Sequence, residues 1–153
     1  MNKPPYGFTI EYTVPMRAIG KARPRFTRWG CTYTPEKTKK AEEIIRDFAL
    51  DAMLDYRLEP IVLIDSKALA VSIEFAFSPP KSWSKKKKKE AIETNAPCTC
   101  KPDIDNLAKL VCDAMIRAVY TDDRLISEMH LCKFYAETDY IKICVWEVGD
   151  VLR

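Results

Sequence analysis

The chain has 153 residues, 47% of them hydrophobic and 31% charged, the size and balance of one ordinary domain that buries a core without disulfides or a structural metal. No apolar run reaches the length of a membrane span, and residues 1–8 hold no signal-like apolar stretch, so a cytoplasmic protein is expected. The six cysteines, Cys31, Cys98, Cys100, Cys112, Cys132 and Cys144, are accordingly read as reduced thiols. Cys98, Cys100, His130 and Cys132 could supply four zinc ligands, but their spacing fits none of the usual zinc patterns.

Net charge is only +3, yet it is unevenly spread. Between residues 15 and 40 lie Arg17, Lys21, Arg23, Arg25, Arg28, Lys37, Lys39 and Lys40 against Glu36 alone. Between 81 and 101 lie Lys81, Lys85, Lys86, Lys87, Lys88, Lys89 and Lys101 against Glu90 and Glu93. A single lysine run is most often a solvated face. Two basic blocks on an otherwise acidic chain point to a polyanionic partner such as nucleic acid.

In chain order, Phe8, Ile10, Tyr12 and Val14 alternate with polar residues and predict a half-buried strand ended by Pro15. The segment 21–29, KARPRFTRW, has no helical stripe and reads as a loop or arm. Thr34 as cap, Pro35 in the first turn and Glu36 at the positive end predict a helix start. Ala41, Ile44, Ile45, Phe48, Ala52, Met53 and Tyr56 carry that helix over about 35–57, with Pro60 as its exit. Leu69, Val71, Ile73, Phe75 and Phe77 give the clearest strand, stopped by Ser78-Pro79-Pro80. Ser84 caps a short lysine-rich helix reaching Glu93, and 95–102 is a loop. A helical pattern resumes near Asp105 with Leu107, Leu110, Val111, Ala114, Ala118 and Val119, and Thr121-Asp122-Asp123 breaks it. Two strands close the chain, near 129–136 and 140–148. The order predicts a single α/β (α+β) domain over 1–153, a mixed sheet packed with helices.

The chemistry is concentrated in Lys101-Pro-Asp-Ile-Asp-Asn-Leu-Ala-Lys109 and Thr121-Asp-Asp123. On an extended backbone Asp103 and Asp105 point to one side, and two converging carboxylates call for a cation between them. Their hard oxygens suit Mg2+. Lys109 stands one helical turn beyond Asp105, and Asp113 one turn further. Each piece has a plain structural reading as well: Asp-x-Asp-Asn as helix capping, Asp122-Asp123 as a turn, Lys109 as a surface lysine paired with Asp105 or Asp113.

The ordered set Asp103-Ile-Asp-Asn-Leu-Ala-Lys109, Cys112-Asp-Ala and Tyr120-Thr-Asp-Asp123 closely resembles the signature of the RusA family of Holliday junction resolvases, found largely in phages and prophages. Upstream, Lys21-Ala-Arg-Pro-Arg-Phe-Thr, Tyr33-Thr-Pro and Pro80-Lys-Ser-Trp-Ser-Lys-Lys look like its phage-type branch, and the likeness spans about 12–147. The resemblance implies a RusA-like fold, a homodimer, and Mg2+ as cofactor with Mn2+ as a possible substitute. It also implies Asp103, Asp105 and Asp123 as metal ligands and catalytic carboxylates, with Lys109 as the catalytic lysine. The activity implied is paired incision of four-way junctions and other branched DNA, in recombination, repair or phage DNA processing. A bacterial host cytoplasm and a phage or prophage origin go with it.

A metal held there lowers the pKa of a bound water and stabilises the departing 3′ oxygen, so no histidine base is needed, and His130 reads as structural. Lys109 orients the nucleophile or neutralises developing charge. Lys21, Arg23, Arg25, Arg28, Lys85, Lys86, Lys87, Lys88, Lys89 and Lys101 are the expected DNA contacts. Phe26, Trp29 and Trp83 are candidates to stack on unpaired bases, with core packing as the other reading, above all for Trp83. Two competing classes remain: a Mg2+-dependent phosphotransfer enzyme acting on nucleotides, and a non-catalytic DNA-binding protein whose acidic cluster is structural. Cys98 and Cys100 match no requirement of the family.

Overall fold

The unbroken alternation at 69–77 becomes the central strand. The computed structural model describes residues 9–55 and 63–150. Phe8, Tyr56 and Pro60, read above as parts of the first strand and first helix exit, lie outside the described residues. Six strands and three helices follow in the order β1 (Thr9–Val14), β2 (Arg25–Phe26), β3 (Thr32–Tyr33), α1 (Glu36–Asp55), β4 (Lys67–Phe77), α2 (Lys85–Glu93), α3 (Ile104–Met115), β5 (Ile126–Tyr135) and β6 (Tyr140–Asp150), with a 3-10 turn at Asp123–Leu125.

The main sheet has the order β1-β6-β4-β5. β4 runs antiparallel to β6 and parallel to β5, and β6 runs antiparallel to β1, which makes the sheet mixed as expected. β5 and β6 follow one another in sequence but do not pair, because β4 lies between them. The link between them therefore passes across the end of β4, and that end is prepared for it. Asp139 Oδ1 accepts from both the Ser78 backbone N–H (2.7 Å) and the Ser78 hydroxyl (3.0 Å). Ala136 N–H donates to the Phe77 carbonyl (3.0 Å). Pro79 and Pro80 then stop the strand without leaving an unpaired N–H at the crossing.

One face of the sheet is the core face. Leu69, Val71, Ile73, Phe75 and Phe77 of β4 stand beside Ile141, Ile143 and Val145 of β6 and Ile10, Tyr12 and Val14 of β1, all buried. α1 contributes Ala41, Ile45, Ala49 and Met53 at intervals of one helical turn, while Ile44 is left largely exposed. α3 contributes Leu107, Leu110, Val111, Ala114 and Met115. α1 packs on both α3 and β1. The residues of opposite parity lie on the other face, where Ala70, Ser72 and Ala76 sit low between larger neighbours and His130 stacks on Trp146 at 6.0 Å.

Several boundaries differ from the sequence reading, among them the start of β5, which lies at Ile126 rather than near 129. Pro35 itself sits at the cap of α1, its carbonyl taking the Thr38 and Lys39 N–H groups (3.0 and 3.2 Å), one residue later than a Thr34 cap. α3 ends at Met115, although the apolar period runs on to Val119. Arg117 takes a positive φ of 65° and its N–H returns to the Tyr120 carbonyl (2.8 Å), so Ala118, Val119 and Tyr120 fold back under the helix end and remain buried without being helical. The arm at 21–29 is not wholly irregular, since Arg25 and Phe26 pair with Tyr33 and Thr32. No helix among the described residues is long and apolar enough to cross a membrane.

Two buried tyrosines test the packing in opposite directions. The Tyr120 hydroxyl donates to the Cys112 carbonyl (2.8 Å), whereas the Tyr12 hydroxyl is buried with no partner among the described residues. Removing an orphaned polar group relieves its desolvation, while removing a bonded one leaves a carbonyl unpaired. Tyr12→Phe is expected to leave stability unchanged or raise it by about 1 kcal/mol, and Tyr120→Phe to lower it by about 1 kcal/mol, in urea unfolding of the two variants. The reverse order would contradict the packing described.

Candidate functional site

The Asp-x-Asp-Asn segment opens α3. Asp103 is the N-cap, with φ −68° and ψ 147°, and its carbonyl accepts the Leu107 N–H (3.0 Å). Its carboxylate makes no capping bond to the helix. A capping aspartate ordinarily turns onto the free N–H groups of the first turn, so the plain capping reading is not met. Asp105 follows inside the first turn. The extended-backbone argument for convergence of Asp103 and Asp105 does not carry over, because the helix has begun by Ile104 and residues two apart on a helix do not share a face. What unites the two is the positive end of α3, which favours negative charge on both.

Asp123 opens the 3-10 turn. Asp122 performs the capping there, taking the Arg124 N–H on Oδ1 (2.9 Å), which is the turn role expected of it. Asp123 is half-buried, and its charge is felt at two groups of the α3 end. Burial pushes the Cys112 thiol up to about 11 against a bond from Tyr120, with Asp113 and Asp123 adding to the rise. Burial also raises the Tyr120 hydroxyl, with Asp123 again contributing. The charge of Asp123 thus acts on Cys112 of α3 and on Tyr120. The carboxylates of Asp103, Asp105 and Asp123 make no hydrogen bond or ion pair among the described residues. No three acidic, thiol or imidazole groups among those residues are drawn together into a finished metal cage. The donor chemistry suits a hard divalent cation, since all three groups are carboxylates left without a protein cation.

Lys109 reaches Asp113 one turn along (3.2 Å) while remaining largely exposed. Asp113 in turn receives Lys21 (2.9 Å), which also pairs with Glu42 of α1. Burial lowers the Lys21 ammonium, but its bonds to Glu42 and Asp113 outweigh that and hold it above the ordinary lysine value. The reading of Lys21 as a phosphate contact changes accordingly: its charge is already engaged by two carboxylates and ties the arm to α1 and α3. The backbone agrees, for Lys21 N–H donates to the Asn106 carbonyl (3.1 Å). Gly20 lies so close to this turn that an added Cβ would meet Asn106 Nδ2 at 2.5 Å and Pro102 Cβ at 3.1 Å.

Sequence reasoning missed Lys133. From β5 its ammonium donates to the carbonyls of Cys100 and Pro102 (2.8 Å for the latter), gripping the loop that enters Asp103. Nothing in the sequence marks it, since it occupies a strand position beside Phe75 in an otherwise apolar register. The loop is anchored along the β5 edge as well, through Cys98 N–H to Lys133 carbonyl and Tyr135 N–H to Ala96 carbonyl (both 2.9 Å). Cys98 and Cys100 bring their sulfurs to 2.8 Å beside Tyr135, where burial pushes the Tyr135 hydroxyl up to about 12 with Cys98 adding to the rise. His130 and Cys132 stand instead over Ser72 and Glu74 on the open face, so the four zinc-type residues do not converge.

The lysine helix joins this same corner. Trp83 is half-buried and packs on Tyr135 (5.0 Å between rings), and Lys87 lies over the Trp83 ring at 3.9 Å. Ser84 accepts the Lys87 N–H (3.3 Å) as the expected cap. Lys88 donates to the Lys81 carbonyl (2.9 Å) and Lys89 pairs with Glu93 (3.7 Å). Lys85, Lys86 and Lys101 are exposed with no partner among the described residues, as are Arg23, Arg25 and Arg28. Both basic blocks are thus fastened to the start of α3, one through Gly20 and Lys21, the other through Trp83, Tyr135 and the 98–102 loop.

The acidic start of α3 is thus flanked by two cationic segments on a mixed sheet. Residues 15–145 match the family model described as endodeoxyribonuclease RusA, and the chain belongs to the RusA family of endodeoxyribonucleases. The resemblance read from the motifs is met at that level, as is the fold. The chain is also similar to the uncharacterized protein YqaN of Bacillus subtilis (strain 168), 28% identical over 143 residues that cover 92% of this chain and 97% of that one.

The Lys21 bridge predicts a measurable loss. Lys21→Met leaves Asp113 and Glu42 without their shared cation and is expected to destabilise the fold by about 1–3 kcal/mol in chemical unfolding. Because Lys21 is raised on folding, its contribution is fully present below the ordinary lysine value and is lost only as pH climbs through the raised one. The difference between wild type and Lys21→Met should therefore narrow on the alkaline side. A gap that stays constant through strong alkali would contradict the bridge.

Proposed function

We propose that the protein is a divalent-metal-dependent endonuclease that resolves four-way DNA junctions by paired incision, acting as a homodimer. The observation that carries this reading is the fastening of both basic segments to the one turn that presents Asp103 and Asp105. Family membership supports the substrate class. Asp103, Asp105 and Asp123 are the proposed ligands of Mg2+, with Mn2+ as a substitute. The ion supplies Lewis acidity toward the scissile phosphate.

The chain's own groups do the rest. Lys109, exposed and held only by an ion pair to Asp113, can turn to the phosphate and neutralise charge that grows there. Asp113, already shared with Lys21, keeps Lys109 on the stripe that faces the cut. Lys133 holds the loop before Asp103 at fixed height. Lys85, Lys86, Lys101 and the arm arginines take backbone phosphates on either side. A four-way junction has approximate two-fold symmetry, and two copies related by a two-fold axis place equivalent sites at equivalent strands.

Asp103→Asn and Asp123→Asn are expected to keep fold and junction binding while reducing cleavage at least about a hundredfold, the scale on which a single preorganised electrostatic group acts. Removing negative charge should leave affinity unchanged or tighten it. Binding by gel shift in EDTA, followed by cleavage of labelled junction in Mg2+, makes the comparison. Near-normal cutting by both variants would sink the assignment of the carboxylates.

A further inference from the structure

The hairpin β2–β3 adds nothing to the core. All residues from 23 to 33 are exposed. The turn is nonetheless defined: Thr27 N–H donates to the Cys31 carbonyl (2.7 Å), Cys31 N–H to Thr27 Oγ1 (3.1 Å), and Gly30 takes φ 78°. A lone two-stranded hairpin is marginal in water, so this one is kept for a purpose other than stability. What it displays is three aromatic rings, Trp29 at 89% exposure, Phe26 at 76% and Tyr33 at 45%. Beside them are Arg23, Arg25 and Arg28, none paired with a carboxylate among the described residues, in contrast to Arg17 and Arg124, which each face an aspartate.

This pairing of bare aromatic faces with uncompensated guanidinium groups suits nucleic acid whose bases are open. Arginine alone would serve for duplex phosphates. A fully exposed tryptophan gains from DNA only where a base face is free to receive it, and in an intact duplex those faces are covered by stacking. Arg25 stands four residues beyond Lys21, whose N–H is bonded to Asn106 at the start of α3, so the foot of the hairpin lies within about 14 Å of that contact residue.

We propose that the hairpin is a branch-point wedge: Trp29, supported by Phe26, stacks on a base left open where the strands exchange, while Arg23, Arg25 and Arg28 hold the flanking phosphates. Trp29 is then the residue that separates branched from linear DNA, and the α2 lysines serve both alike. The inference rests on the reading of the substrate as a four-way junction but not on strand cutting.

The test is done in EDTA, with a four-way junction carrying 2-aminopurine next to the branch point and a linear duplex of matched sequence. Wild-type protein should prefer the junction and change its 2-aminopurine fluorescence. Trp29→Ala should lower junction affinity about tenfold, leave duplex affinity unchanged and lose the fluorescence change, and Trp29→Phe should restore most of both. Lys85→Ala combined with Lys86→Ala should weaken junction and duplex equally. Circular dichroism and Tm of Trp29→Ala should match wild type, because the ring is outside the core. A Trp29→Ala protein that keeps its junction-to-duplex ratio and its fluorescence change, or loses both DNAs equally, would overturn the wedge, as would a wild type without junction preference. A wedge signal that persists in a protein unable to cut in Mg2+ would refute the nuclease reading and leave the wedge standing.

Discussion

The fold and the site meet in the ion pairs of Lys21. One ammonium joins Glu42 on α1 to Asp113 on α3, and the same residue's N–H is bonded to Asn106. Release that contact and three things loosen together: the packing of α1 against α3, the origin of the basic arm, and the stripe of α3 on which Lys109 and Asp113 lie. A partly buried charge shared by two carboxylates is expensive to break from one side, since it leaves Glu42 without its cation and Asp113 with Lys109 alone. That asymmetry fixes the arm at the carboxylate turn.

A second clamp works from the sheet. β5 is the parallel neighbour of β4, and its Lys133 reaches the carbonyls that lead into Asp103. With Gly20 packed on Asn106 and Pro102 from the opposite direction, the turn is gripped from the arm and from the sheet. The carboxylates of Asp103, Asp105 and Asp123 have no hydrogen-bond or ion-pair partner among the described residues. The structure concentrates its hydrogen bonds on the backbone around these groups and spends none on the groups themselves.

Much of this was legible in the sequence, and the reasons are physical. The strand of β4 was visible because both its neighbours are strands and its core parity is wholly apolar, so the period of two runs unbroken. The α2 cap was visible because Ser84 and the lysine run have strong local preferences. The Asp-x-Asp-Asn turn stood out by composition, although the convergence argument assumed an extended backbone that the helix start replaces. Strand order was not legible: placing β6 between β1 and β4, with β5 outside, depends on the crossing at Ser78 and Asp139, which leaves no periodic trace. Lys133 was invisible because its partners are carbonyls, and any residue supplies those. Lys21 looked like the other arm cations, and only the tertiary fold shows that its charge is already engaged.

In the proposed function, Asp103, Asp105 and Asp123 hold a divalent metal for cutting branched DNA. The most direct measurement is incubation of the protein with end-labelled four-way junction and matched linear duplex, with Mg2+ and with EDTA, mapping the cut on each strand. Mg2+-dependent cuts are expected at symmetry-related positions of opposing strands near the branch, with the duplex left intact. Tight junction binding with no cutting in Mg2+ or Mn2+, or equal cutting of the linear duplex, would contradict it.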